Sequence, residues 1–133
     1  MAAKSIYLDD AILNHVLRNT ALTSPTTVYV ALYTVAPTPS SAGTEVTNVG
    51  TAYARQAVTF GAPASGVCQN SAPVAFPVAT AAYGAPIVAC AVLDNGGYGL
   101  GNILYFGTLG TPKTVGVGDQ VNFATLALSV TEQ

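Results

Sequence analysis

Few residues of this 133-residue chain could perform chemistry, and none of them stands in a catalytic pattern. The single histidine, His15, could serve as a general base, but no serine or cysteine nucleophile motif lies beside it. Asp9 and Asp10 are adjacent acids near the start of a predicted helix, where the helix dipole favours negative charge. We therefore predict a solvated or locally hydrogen-bonded His15, no catalytic residue and no enzymatic activity.

Metal and cofactor sites also lack candidates in the sequence. Cys68 and Cys90 are far apart, and neither belongs to a CxxC motif or a Cys/His cluster. Cys90 falls inside an apolar run, which favours a small buried free thiol, although a disulfide with Cys68 stays open. The glycines of segment 94–102 lack the following helix and the Lys-Ser/Thr pair of a phosphate loop, so they favour a hairpin turn. The sequence predicts no metal and no cofactor.

The charge balance points to protein partners. Only 8% of the residues are charged, against roughly 25% in an average protein, and the net charge is −2. Nucleic-acid binding is not expected, because the sequence has no basic cluster to contact phosphates. The longest apolar run, Ile87 to Leu93, is far shorter than the roughly 20 residues of a membrane-spanning helix, so no membrane association is predicted. With so little charge to repel another copy, much of the exterior is predicted to be covered by partners.

One helix is predicted, from about Ile6 to Asn19, with Ser5 as its N-cap. The acids near its start and Arg18 near its end suit the helix dipole. Leu8, Ile12 and Val16, together with Leu13 and Leu17, form a broad apolar stripe at helical spacing. The residues before the helix, about 1–5, are expected to form a short flexible arm.

The remaining chain predicts about seven or eight short strands separated by turns. Ile87–Leu93 is apolar at every position and is expected to be buried on both faces. Its antiparallel partner is predicted over Ile103–Phe106, across the glycine-rich turn. Further strands are predicted at 26–34, 53–60, 73–79, 114–117 and 121–130, the last with a bulge near Ala124 or Thr125, and turns at 110–113 and 116–119.

This pattern predicts a mainly β fold, a jelly-roll-like β-sandwich with one N-terminal α-helix. The length suits a single domain spanning residues 1–133. Pro73 and Pro77 cannot donate ladder hydrogen bonds, which places the strand that contains them at a sheet edge or beside a bulge.

Arg55 is the only charged residue of its predicted strand, and two interpretations are open. It could be a surface or edge cation whose stem packs on Tyr53. It could instead form a salt bridge, either to Glu45 or to a neighbouring subunit. Glu45 itself lies in a long surface loop, Pro37 to Gly50.

Five residues are candidates for contact with a partner. Tyr98, at the tip of the 94–102 turn, either covers the end of the sheet or contacts a partner. Termini and loops are also candidates, because a partner can order them at modest cost. The candidate contacts are Lys4, Ser5, Glu45, Arg55 and Tyr98.

Six segments, spread in order over nearly the whole chain, resemble a family of small virion proteins of tailed bacteriophages. They are YLDDAILNHVLRNT, TTVYVALYT, GTEV, YARQAVTF, NILYFGTL and TPKTVGVGDQVNFATLALSV. Members are labelled tail fibre or minor tail proteins, and similar small jelly-roll proteins serve as capsid cement or decoration proteins. The chain departs from the family pattern at Tyr83, where a tryptophan is expected, and in the glycine content of the 94–102 turn.

The resemblance implies a structural protein of the virion. The leading interpretation is a capsid cement or decoration protein that binds across major capsid protein subunits and stabilises the head. It would be made in the host cytoplasm and lie on the capsid exterior as a homo-oligomer, most simply a dimer. The alternative is a tail fibre or minor tail component.

Overall fold

The computed structural model describes residues 3–132, and within them a single helix and ten strands follow one another. The elements are β1 (Ala3–Lys4), α1 (Ile6–Arg18), β2 (Val28–Val35), β3 (Thr44–Glu45), β4 (Gln56–Val58), β5 (Val67–Gln69), β6 (Val74–Ala75), β7 (Ile87–Leu93), β8 (Ile103–Lys113), β9 (Asn122–Phe123) and β10 (Ser129–Thr131). The strand pairings are antiparallel. The predicted mainly β fold with an N-terminal helix is confirmed, whereas the jelly-roll arrangement stays a prediction.

The main sheet is centred on β7. Its strand order is β1-β8-β7-β2-β3, and β4 also pairs with β2. Every residue of β7 is buried except the half-buried Val88, as its unbroken apolar sequence predicts. The hairpin of β7 and β8 sets Ala91 opposite Phe106. The prediction of this hairpin and of the bounds of β7 is confirmed.

Successive residues of β2 point to opposite faces of the main sheet, and each face has its own apolar cluster. Val30 and Leu32 are fully buried in the larger cluster, together with Phe76. Ala31 and Tyr33 lie in the smaller cluster, together with Phe106 of β8. The sheet is therefore apolar on both sides, as its strands predict.

Two short ribbons pair β5 with β10 and β6 with β9. The second ribbon contributes Val74 and Phe123 to the larger cluster, and Leu128, just before β10, also packs there. The connection between β9 and β10 folds around Asn70, whose side chain is fully buried. The Asn70 amide donates to the carbonyl oxygens of Ala72 and Ala124 and accepts from the N–H of Leu128. A turn with Leu126 at φ 67 thus interrupts the predicted strand 121–130. The bulge predicted near Ala124 or Thr125 is wrong.

The predicted arm differs from the structure at residues 3–5, while residues 1 and 2 lie outside the described part of the chain. β1 pairs with β8, and the Ser5 backbone N–H donates to the Leu104 carbonyl oxygen. The Ser5 hydroxyl accepts from the N–H of Leu8, which confirms the predicted N-cap. Asn19 caps the other end in a left-handed conformation.

The predicted apolar stripe of α1 is buried only in part. Leu8 is the single buried residue of the helix, whereas Leu13, Val16 and Leu17 are exposed. The spacing identified the helix correctly but not which of its apolar residues contact the sheet.

Several strand bounds also differ from the predictions. The predicted strand 53–60 is reduced to β4, and 73–79 to β6. β8 continues through the predicted turn at 110–113, because Lys113 still pairs with Ile87 after a register shift. The predicted strand 114–117 does not form, but the turn at 116–119 is confirmed by hydrogen bonds between Gly116 and Asp119 in both directions. Within residues 3–132, no helix is long and apolar enough to cross a membrane.

Two buried tyrosines of the core allow a matched test of hydrogen bonding. Tyr83 packs edge-on against Tyr53, but in the described residues its hydroxyl has no hydrogen-bond partner. The Tyr53 hydroxyl donates to Glu45 and accepts from the N–H of Leu32. We expect Tyr83→Phe to leave the free energy of unfolding unchanged or to raise it by about 1 kcal/mol, and Tyr53→Phe to lower it by about 1–3 kcal/mol. Urea denaturation of both variants measures the difference, and an equal loss in the two would contradict it.

Candidate functional site

A cleft of about 640 Å³ opens beside the smaller apolar cluster. Its walls come from the start of α1, from loop 38–43 and from the 98–103 part of the turn between β7 and β8. Four of the five candidate contact residues line it, namely Ser5, Glu45, Arg55 and Tyr98. These residues are distant in the sequence, and the fold brings them together.

A buried ion pair lies at this cleft. Arg55 Nε donates to Glu45 Oε1 and Arg55 Nη2 to Glu45 Oε2, each over 2.8 Å. The two side chains are only 3% and 9% exposed. The predicted salt bridge to Glu45 is confirmed, and the interpretation of Arg55 as a surface cation is wrong.

Arg55 also holds the turn that carries Tyr98. Its Nη1 donates to the carbonyl oxygens of Asn95, at 2.8 Å, and Leu100, at 2.7 Å. A planar guanidinium has donors in fixed directions, so these bonds fix the turn relative to β3 and β4. Most of the N–H donors of Arg55 are thus satisfied inside the chain. Arg55 holds in place the turn that forms one wall of the cleft.

The ionisation of the groups around Arg55 is set by burial and by the Glu45 carboxylate. Burial lowers the pKa of the Arg55 guanidinium, but the hydrogen bonds and charge of Glu45 outweigh it and raise the pKa above its ordinary value. Burial, helped by the Glu45 charge, raises the pKa of Tyr33 to about 12 and also raises that of Tyr53. At neutral pH the base of the cleft therefore holds one compensated ion pair and neutral phenols.

The turn itself is tightly built, which confirms the hairpin prediction. Asp94 accepts from the backbone N–H of Asn102 at 2.6 Å. Gly101 adopts φ +75, and a Cβ there would approach Asn95 Cβ to 2.4 Å, so only glycine fits. A Cβ at Gly96 would approach Tyr29 Cε1 to 2.6 Å. Gly96 and Gly101 thus serve close packing, whereas the surroundings of Gly99 are open.

The rim of the cleft is aromatic and apolar. Tyr98 is 44% exposed and Leu100 59%, and Ile6 and Tyr7, which line the same cleft, are each 47% exposed. Loop 38–43 also lines the cleft with small residues, of which Thr38, Ser40 and Ser41 are polar. The sequence analysis missed Ile6, Tyr7 and Leu100, because single exposed apolar residues carry no distinguishing pattern. That Tyr98 contacts a partner stays a prediction.

Lys4, the fifth candidate, lies outside this cleft. Its Nζ contacts the carboxylates of Glu132 and, at 3.4 Å, Asp9. Glu132 also accepts from the Tyr105 hydroxyl at 2.7 Å. These bonds, from Lys4 first and Tyr105 second, hold the pKa of Glu132 below its usual range. Lys4, Asp9, Tyr105 and Glu132 form a group that we call the Glu132 cluster, and it joins the two ends of the described chain to β8.

The remaining reactive side chains are used locally. His15 Nδ1 lies 3.1 Å from the Thr20 carbonyl oxygen on the surface, as predicted. Cys68 and Cys90 are both free, so the disulfide alternative is wrong. Burial raises the pKa of the Cys90 thiol to about 11. Among residues 3–132, no group of three or more His, Cys, Asp or Glu could hold a metal ion.

A comparison with protein families places the chain among the structural proteins of tailed bacteriophages. The matching family is described as "Podophage GP4 fiber I protein gp80", and its model covers residues 3–131. The chain belongs to this family. The resemblance to phage virion proteins is confirmed at this level, and it implies a location in the virion. No curated protein matches the chain.

The buried ion pair can be tested by a double-mutant cycle. Arg55→Met leaves the Glu45 carboxylate buried without its cation, and we expect a loss of about 3–5 kcal/mol in the free energy of unfolding. The double variant Arg55→Met/Glu45→Leu removes both charges and should be more stable than Arg55→Met alone. Urea denaturation measures each corner of the cycle. Arg18→Met, at an exposed site without an ion pair among residues 3–132, is the control and should change little. Additive effects of the two substitutions would contradict the coupling.

The Glu132 cluster predicts a pH dependence of stability. The folded-state pKa of Glu132 lies below its unfolded-state value, which is roughly 4.3, so its ionised form stabilises the fold above that value. This contribution is lost as the pH falls through the lower, folded-state pKa. Glu132→Gln should therefore destabilise the protein at pH 7, and the difference from the wild type should shrink in acid. Thermal unfolding between pH 7 and pH 3 measures it, with Asp10→Asn as the control. A difference that is constant across this range would contradict the assignment.

Proposed function

We propose that this protein is a structural subunit of a podophage fibre. The observation that carries the proposal is the family match over residues 3–131, whose description names a fibre protein. In this role the chain acts by binding other virion proteins, and we propose no catalytic activity for it. The low charge of the chain supports the proposal, since a surface that is covered on assembly needs little charge.

The exposed apolar side chains supply the binding energy. Several large ones are at least half exposed, including Leu13, Val16, Leu17, Val35, Val49, Leu100, Val117 and Leu126. Exposed apolar residues that lie together mark protein–protein contacts. The rim of the cleft combines two tyrosines with two aliphatic residues, a composition found at the centres of interfaces. We propose the rim as one contact surface for a neighbouring virion protein.

The buried Arg55 prepares this contact surface in advance. It holds the turn that carries Tyr98 and Leu100, so little conformational entropy is lost when a partner packs against them. Glu45 and Arg55 then act as positioning residues beneath the contact, and Tyr98 is the contact residue itself. Ser5, the N-cap of the helix that carries Ile6 and Tyr7, is a positioning residue in the same way. Lys4 lies outside the cleft and is engaged with Glu132.

The second candidate function is a capsid cement or decoration protein bound to the major capsid protein on the capsid exterior. The observation that favours it is the same apolar, weakly charged surface, which would suit attachment across a whole lattice. It ranks second because the family description names a fibre and not a capsid component.

The number of copies per virion separates the two candidates. A fibre subunit should be present in far fewer copies than the major capsid protein, whereas a cement protein should approach the capsid subunit number or a simple fraction of it. Quantitative mass spectrometry of purified virions measures this ratio, and gold-labelled antibody shows the location on the particle. A copy number close to that of the major capsid protein, or a simple fraction of it, would overturn the fibre proposal in favour of the cement protein. Absence of the protein from the virion would overturn both proposals.

A further inference from the structure

The cleft beside the smaller apolar cluster contains a buried hydroxyl group without a partner in the described chain. Tyr33 lines this cleft and is only 3% exposed. Among residues 3–132, its hydroxyl group forms no hydrogen bond. The Tyr83 hydroxyl is also unpaired but is sealed inside the core, whereas Tyr33 lies in the wall of the cleft. The Tyr33 hydroxyl can therefore be reached from the cleft.

The surroundings of this hydroxyl are polar but carry no net charge. Tyr33 lies directly opposite Glu45 in the pairing of β2 with β3. Glu45 and Arg55 are the charged residues among those that line the cleft, and they neutralise each other in their buried ion pair. The phenol is itself neutral at neutral pH, because burial, helped by the Glu45 charge, raises the pKa of Tyr33 to about 12. A neutral phenol can both donate and accept a hydrogen bond.

A partner that covers the rim of the cleft must also serve this hydroxyl. Water can bond to it while the cleft is open, but a protein that packs on the rim excludes that water. A hydroxyl that is buried and left unpaired lowers the affinity of the contact, because its lost bonds to water are not replaced. The partner is therefore required to place a hydrogen-bonding group beside Tyr33.

The shape and charge of the cleft restrict this group further. A space of about 640 Å³ between a helix, a loop and a turn is filled by a projecting segment and not by a flat surface. A charged side chain of the partner would be buried there without a counter-ion, because Glu45 and Arg55 already neutralise each other. A two-fold contact between two copies of this chain would set one concave cleft against another and enclose a void. The cleft therefore suits a projecting, neutral segment of a different protein.

We propose that the cleft receives a loop or chain end of another virion protein, and that a neutral polar side chain at its tip hydrogen-bonds to the Tyr33 hydroxyl. The side chain of an asparagine, glutamine, serine or threonine meets this requirement. Ile6 and Leu100 supply aliphatic contacts on the rim, which suit the apolar flanks of a peptide better than the hydroxyl groups of a saccharide. The inference rests on the proposed contact at the rim, and it adds Tyr33 as the residue that selects the partner.

The first experiment separates recognition by Tyr33 from folding. Tyr33→Phe removes only a hydroxyl that has no partner in the described chain, so the melting temperature of the isolated protein should stay the same or rise slightly. Wild-type and variant protein are supplied in equal amounts during phage assembly, and mass spectrometry of purified virions measures their ratio. Tyr33→Phe should be under-represented roughly 5- to 150-fold. Tyr83→Phe, the same change at a buried tyrosine outside the cleft, is the matched control and should be incorporated as well as the wild type.

The outcomes of this competition distinguish the inference from the proposed function. If Tyr33→Phe enters virions as well as the wild type does, the inference is wrong, and the role in the virion is unaffected. If neither protein is found in the virion, the proposed function is wrong, and the inference fails with it.

A second experiment identifies the occupant of the cleft. Tyr98→p-benzoylphenylalanine places a photo-crosslinking ring on the rim, and the linked peptides of irradiated virions are sequenced by mass spectrometry. The linked peptide should belong to another virion protein and carry a neutral polar side chain beside the link. Val49→p-benzoylphenylalanine, at a position that is 81% exposed and outside the cleft, is the control and should not link that peptide. A link to a second copy of this chain would overturn the proposal, and so would the absence of any linked peptide, which is expected if a saccharide fills the cleft.

Discussion

The ion pair of Arg55 and Glu45 is the constraint on which the geometry of the cleft depends. In a chain with only four basic and six acidic residues, placing two of them in the interior is costly, because both must lose their water. The cost is offset only if the carboxylate and the backbone carbonyls meet the guanidinium in its own plane. Hence the turn between β7 and β8 must present the carbonyl oxygens of Asn95 and Leu100 to one point. In the same turn, a Cβ at Gly101 would collide with Asn95, whose carbonyl oxygen is one of the two that Arg55 binds.

The apolar main sheet explains why so much of the remaining surface is uncharged. β7 and β2 are covered on both faces, which uses many of the large apolar residues in two clusters. The short ribbon of β6 and β9 adds Val74 and Phe123 to the larger cluster. Seven of the ten charged side chains lie on α1, in the Glu132 cluster or at the cleft, and the other three are Asp94, Lys113 and Asp119. Between them lies the apolar surface that another protein can cover.

Local sequence signals predicted the elements whose stability is local. Ser5 and the acids after it mark the start of α1, and the unbroken apolar run gives β7 its bounds. Strands of two or three residues could not be predicted this way, because their ends are set by distant side chains. Asn70 determines the turn before β10 across 58 positions of sequence. The cleft was equally hidden, since Arg55 reaches Leu100 across 45 positions. The candidate residues could be named one by one, but not their convergence.

The helix shows a second limit of prediction from the sequence. An apolar stripe at helical spacing is the same signal whether it is buried against its own sheet or against another chain. The sequence predicted one broad stripe, and the fold divides it, with Leu8 facing β8 and the residues from Leu13 to Leu17 facing outwards. The charges distinguish the two parts. Asp9 is paired with Lys4 of its own chain, whereas Asp10 and Arg18 belong to no ion pair within residues 3–132.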